Sequence, residues 1–212
     1  MSNPRYQPLA RSFYTRPTIE LAPDLLGRLL VRLMPDGTVL AGRIVETEAY
    51  LGRGDAACHS ERGRTDANAP IWGPPGHAYV YLCYGFYPLM NIVAETDGVA
   101  GCVLLRALEP VEGIETMRHL RPAAQNHRDL CRGPGKLCQA LAIGLEFNRC
   151  DLTQGILFVD RAEVPRPACQ TTPRIGIIKA ADQPLRYLIP GNPYVSAAKP
   201  GPPKKKAKRT AK

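Results

Sequence analysis

No stretch of the 212-residue chain holds the roughly 18 consecutive apolar residues that a membrane-spanning helix needs, so no span is expected. The opening residues, MSNPRYQPLARSFYTRP, lack the apolar core of a secretory signal. The expectation is a soluble intracellular protein, in the cytoplasm or nucleoid of a bacterium or the nucleus of a eukaryote. No CxxC pair occurs among the seven cysteines, and the closest spacing, Cys131 to Cys138, suits neither a zinc finger nor a zinc knuckle. Reduced thiols are expected, with no disulfide, no structural metal and no cofactor. There is no internal repeat, and the length suits one domain with a core of its own.

Acidic residues are also missing from Ala197 onward, where Lys199, Lys204, Lys205, Lys206, Lys208, Arg209 and Lys212 cluster. Those seven cations, set against a net charge of +9, leave the remaining body at about +2. Rich in Pro, Gly and Lys, the segment KPGPPKKKAKRTAK is not expected to fold alone. Three readings stand: a tether that neutralises nucleic-acid phosphates, a nuclear address of the PKKKAKR type, or a solubilising tail. The division read from the sequence is an N-terminal arm over 1–17, one folded domain over 18–196 and a disordered basic tail over 197–212.

Within the body, TIELAPDLL (Thr18 to Leu26) predicts a short helix stopped by Gly27. RLLVRLM and VLAGRIVETEAY flank the turn signal Pro35-Asp36-Gly37 and predict an antiparallel hairpin. Residues 52–77 read as a long loop carrying His59, Arg62 and Arg64. Three strands follow in HAYVYLCYGFYPLMNIVAE and GCVLLRALEP. Helices are predicted near Val111 to Leu120 and Gly135 to Leu141, then strands near Ile156 to Val159 and Arg174 to Ile177. Strands in neighbouring groups indicate an α+β fold: a single domain with a curved antiparallel sheet, surrounding short helices and a protruding hairpin.

Several residues sit where a core would not place them. In IVETEAY, Glu46, Glu48 and Tyr50 fall on one strand face, opposite Val45, Thr47 and Ala49. That face is either a solvated charged surface or a working surface with carboxylates and a stacking ring. Arg106 interrupts the apolar strand CVLLRALEP, so it either faces water on an edge or faces a carboxylate, Glu46 and Glu48 being the candidates. Tyr84-Gly85 between two strand-like runs marks a hairpin tip that pushes Tyr84 outward. Tyr79 and Tyr87 read as sheet-core aromatics. Asn91, an amide in PLMNIV, needs a partner or a purpose. A carboxylate, a guanidinium, stacking rings, a histidine and an amide together suit a pocket for a flat heterocycle beside a wedge, as base flipping requires.

The motifs IVETEAYLG, His59-Ser60, PPGHAYVYLCYG, Asn91, CVLLRALEP and GPGKLCQAL, in that order from about Leu21 to Ser196, resemble the alkyladenine (3-methyladenine, methylpurine) DNA glycosylases. The resemblance implies a monofunctional, monomeric enzyme, free of cofactors, that excises damaged purines from double-stranded DNA. It places the general base at Glu48, with Arg106 and the backbone carbonyl of Ile175 holding the attacking water. Tyr50, His59 and Tyr81 fall on residues that contact the flipped base, and Asn91 on the amide that obstructs the 2-amino group of guanine. Tyr84 falls on the intercalating residue and Arg64 on a contact to the DNA backbone. No family role follows for Glu46, which is left to pair with an arginine and set the local field. Ala67-Asn68 and Ile71-Trp72 depart from the family's Arg-Asn and Met-Phe, so one loop arginine is lost. Two other readings are a non-catalytic binder of damaged nucleic acid, and a sugar hydrolase using Glu46 and Glu48, which at i and i+2 would lie about 6.6 to 6.8 Å apart.

Overall fold

The computed structural model describes residues 5–197. Apart from Ala197, the basic tail lies outside the described residues, as do residues 1–4. Among the described residues no helix is long and apolar enough to cross a membrane.

The chain begins with a four-residue helix α1 (Arg11–Tyr14) and then α2 (Thr18–Asp24). Strand β1 (Leu29–Leu33) turns at Pro35-Asp36-Gly37 into the twelve-residue β2 (Val39–Tyr50). The two pair antiparallel from Leu29↔Arg43 to Leu33↔Val39. Asp36 secures the turn by accepting the Thr38 N–H at 2.9 Å. After the loop, β3 (Ala78–Cys83) and β4 (Tyr87–Val93) form a second hairpin, and β5 (Cys102–Glu112) follows.

Helices α3 (Ile114–Leu120) and α4 (Pro134–Ala140) come next, then three short strands: β6 (Leu157–Val159), β7 (Gln170–Thr172) and β8 (Arg186–Leu188). Sheet order is β3-β4-β5-β2-β1-β6, and β8 joins β7 to β2. Every pairing is antiparallel, so the α+β expectation holds.

Strand β2 positions the site. Its first half lies between β5 and β1, its second half between β5 and β8. The β2–β5 register shifts between Ile44 and Glu46, a bulge at Val45. Because strand side chains alternate, one extra residue swaps the faces. Before the bulge, Leu40 and Ile44 point into the main core; after it, Ala49 does, and Thr47 bonds the carbonyl of Ala22 on α2 at 2.8 Å. Glu46, Glu48 and Tyr50 are thereby turned to the opposite face. The main core gathers Leu21 and Leu25 from α2 and Leu137 and Cys138 from α4 against that sheet face. A smaller cluster of Ile71, Tyr79, Val93 and Cys102, with Tyr50 and Tyr81 at its margin, covers the other side.

Three expectations need correction. The first predicted helix after β5 starts only at Ile114, because β5 continues to Glu112 and Gly113, at φ +74°, makes the turn. Residues 174–177 are not a strand: β7 ends at Thr172, and Arg174 is instead locked by side-chain bonds into the loop before β8. Tyr87 is no core residue; it is 60% exposed, near the tip of the β3–β4 hairpin.

Candidate active site

Glu48 is completely buried, yet three donors reach its carboxylate. Oε1 accepts the backbone N–H of Ile175 at 2.8 Å. Oε2 accepts the Tyr50 hydroxyl at 3.0 Å and Nη1 of Arg106 at 3.3 Å. Burial still dominates and raises the Glu48 pKa above the ordinary carboxylate value; Arg106, the Ile175 N–H and the Tyr50 hydroxyl oppose the rise, while Glu46 adds to it. A carboxylate brought closer to neutral pH and hydrogen-bonded in place is suited to taking a proton.

Arg106 does face the carboxylates. Its Nε lies 3.5 Å from Glu46 and its Nη1 3.3 Å from Glu48. Glu46, for which the resemblance offered no role, is fully buried and consumed by structure. It accepts Arg186 Nε at 2.5 Å, the Ser196 hydroxyl at 2.9 Å and the Ser196 N–H at 2.7 Å. A carboxylate so engaged is not available as the second acid of a sugar hydrolase, and that reading loses its support.

Beside Glu48 a pocket is lined by Tyr50, His59, Tyr79, Tyr81, Asn91 and Cys102, among others. Tyr79 and Tyr81 stack with ring centroids 5.3 Å apart, and His59 meets Tyr81 edge-on at 4.7 Å. Nδ1 of His59 pairs with the Tyr79 hydroxyl at 2.9 Å. Burial lowers the His59 pKa, which favours the neutral imidazole. Asn91 is buried and gives its amide N–H to the carbonyl of Tyr79 at 3.1 Å, while the Cys102 thiol reaches its oxygen at 3.8 Å. The amide therefore has a fixed orientation on the pocket floor.

The loop before β3 presents His59 in a 3₁₀ turn, His59–Arg62. Asn68, kept beside the departure at Ala67, folds that loop: it donates to the carbonyls of His59 and Gly63, both at 2.9 Å. Ile71 of the same departure packs under the pocket, and Trp72 at its edge. Arg64 is exposed and sits by a surface groove with His77 and Arg149.

Tyr84 stands apart from the pocket, at the hairpin tip. It is 85% exposed and holds φ +53°, followed by Gly85 at +75°. Two successive positive φ values define a type I′ turn, closed here by Phe86 N–H to the Cys83 carbonyl at 3.2 Å. Leu82 and Phe86 are exposed on the same hairpin. An exposed apolar wedge of this kind marks a surface that meets a partner.

The structure brings Glu48, Tyr50, His59, Tyr81, Asn91 and Arg106 together, and at Ile175 it is the backbone N–H, where the sequence reading expected the carbonyl, that reaches Glu48. Sequence reasoning missed Arg174, Asp55, Arg186 and Ser196. Arg174 and Asp55 form a buried bidentate pair at 2.6 and 2.7 Å next to the pocket. The one signal for that pair was a pair of charges in otherwise irregular segments.

Comparison with known proteins shows the family. The sequence profile of the family described as methylpurine-DNA glycosylase (MPG) matches residues 12–193. The human DNA-3-methyladenine glycosylase is 46% identical over 203 residues, covering 89% of this chain and 67% of the human one. A Chlorobaculum parvum protein provisionally named 3-methyladenine DNA glycosylase is 48% identical over 202 residues, covering 95% of this chain and 96% of its own. A Methanocella arvoryzae protein with the same provisional name is 48% identical over 199 residues, 91% of this chain and 98% of its own.

Proposed function

Because the chain belongs to the methylpurine-DNA glycosylase family and is a DNA glycosylase, we propose that it hydrolyses the N-glycosidic bond of alkylated or deaminated purines flipped out of double-stranded DNA. The substrates in this reading are 3-methyladenine, 7-methylguanine, hypoxanthine and ethenoadenine, and the reaction opens base excision repair wherever the cell keeps its DNA. The observation that carries it is Glu48: a buried carboxylate with a raised pKa, fixed by three donors at the side of an aromatic pocket.

Glu48 takes a proton from water as the water oxygen bonds to the sugar C1′, and the bond from C1′ to the purine nitrogen breaks. The electron pair leaves with the base. Arg106 and the backbone carbonyl of Ile175 hold the water, and Arg106 is itself held between two carboxylates. Tyr50, His59 and Tyr81 receive the flipped base, whose ring carries positive charge when N3 or N7 is alkylated and so favours aromatic faces. The fixed amide of Asn91 stands against the 2-amino group of guanine.

Tyr84 fills the gap left in the duplex, offsetting part of a flipping cost of about a few kcal/mol. Arg64 contacts the DNA backbone. Lys136 lies on α4, paired with Asp129, outside the pocket, so the chemistry is hydrolysis without a Schiff-base step.

The test is a duplex with a single hypoxanthine, and methylated DNA, incubated with the wild type and with Glu48→Gln. Free base released by the wild type alone supports the reading. Tight binding of damaged duplex with no release by either protein makes it a damage-binding protein instead.

A further inference from the structure

Arg174 is outside the set of residues given a role above, although its side chain is fully buried. Its two Nη atoms bond the two carboxylate oxygens of Asp55 at 2.6 and 2.7 Å, and Nη1 also donates to the Ala49 carbonyl at 2.9 Å. The guanidinium carbon lies 4.7 Å from the centroid of the Tyr50 ring. The next residue, Ile175, gives its N–H to Glu48. Asp55 in turn accepts the N–H groups of Leu51 at 3.2 Å and Ala57 at 3.1 Å, on either side of the bend that leads to His59.

One ion pair thus joins the end of β2, the loop that carries His59 and the segment that carries Ile175. We infer that the Arg174–Asp55 pair is a positioning clamp, which sets the plane of the Tyr50 ring and aims the Ile175 N–H at Glu48. The inference deepens the glycosylase reading and rests on it.

The residue type supports this role. A guanidinium is planar, so it can fork onto a carboxylate and stack on a ring with the same group. A lysine ammonium can do neither in that geometry. Stability alone does not account for the pair, since buried ion pairs are often no more stabilising than apolar residues of similar volume. Positioning does account for it: the pair's three attachments end on a pocket wall, the pocket loop and the donor to Glu48.

The clamp predicts a change in the titration of Glu48 as well as in rate. The groups that face Glu48 are Glu46 and Tyr50 on β2, Tyr81 on β3, Arg106 on β5, and Arg174 with the Ile175 N–H on the segment after β7. Losing the aimed N–H removes a donor that favours the carboxylate, so the Glu48 midpoint rises.

The experiment compares the wild type with Arg174→Lys and with the neutral double variant Arg174→Leu/Asp55→Asn, which leaves no unpaired buried charge if the lysine variant fails to fold. Two readouts are taken: single-turnover release of hypoxanthine, and the Glu48 carboxyl midpoint followed by carbon NMR. The expected result is a fall in rate of about 100-fold, as misplacing a reacting group costs, together with a raised Glu48 midpoint. An unchanged midpoint overturns the clamp, whether or not the rate falls, because a rate loss alone is general loosening. If the wild type releases no base, the glycosylase reading fails by itself, and the midpoint still decides the clamp.

Discussion

The Tyr50 hydroxyl donates to the Glu48 carboxylate over 3.0 Å, so a wall of the pocket and its buried carboxylate are joined two residues apart on one strand. The bond favours the ionised form of Glu48, against the burial that raises its pKa. Tyr50→Phe keeps the ring and removes the donor. The acidic limb of kcat/KM should then move to higher pH, with little change in affinity for damaged duplex. In the wild type, burial already raises the Glu48 midpoint from the ordinary carboxylate value. A pH–rate profile of both proteins on a hypoxanthine duplex checks the shift.

Glu48→Gln should lower the excision rate by roughly 10² to 10⁴, the usual contribution of a general base. It should also make the protein more stable at pH 8. The sign follows from the raised folded-state pKa: the folded protein favours protonated Glu48, so ionisation costs stability above that pKa. The difference should shrink as pH falls through the raised folded value and vanish below the unfolded carboxylate value. Melting temperatures at pH 8 and pH 5 give the comparison, and a variant less stable than wild type at pH 8 would contradict the argument.

At the hairpin tip, Tyr84→Asn should separate stability from function. Tyr84 holds a left-handed conformation that costs a non-glycine residue about 1 to 2 kcal/mol, and Asn-Gly is a favoured type I′ pair. The variant should match or exceed the wild type in urea unfolding, since the ring is exposed and supports no packing. Excision from duplex should fall, and excision from single strands should fall less.

Glu46→Ala leaves Arg186 and the Ser196 N–H without their acceptor in a buried place. Removing one partner of such a pair costs about 3 to 5 kcal/mol, so the urea midpoint should drop sharply. Arg106 loses one of its two carboxylates as well, and the residual activity of any folded fraction should be reduced.

How far the site could be read in advance depended on how local each signal was. Glu48 and Tyr50 were legible because strand alternation works over two residues, and Arg106 because a charge inside an apolar strand needs a partner. The Tyr84-Gly85 tip was legible because few dipeptides tolerate a type I′ turn. The bulge at Val45 left no trace in the sequence, since alternation is intact on each side of it. Arg174 and Asp55 are 119 residues apart, in segments without periodicity, and only the folded chain shows that they touch. Strand β8 escaped because three residues are too few to carry a pattern.

The bonds that complete Glu48 and Glu46 span long stretches of the chain: 127 residues to Ile175, 140 to Arg186 and 150 to Ser196. During synthesis both glutamates leave the ribosome long before these partners exist. Both carboxylates therefore stay without these partners through most of translation, until the last-made strand and loop close over β2. A product truncated before Ile175 would lack the N–H that reaches Glu48 and both residues, Arg186 and Ser196, that bond Glu46.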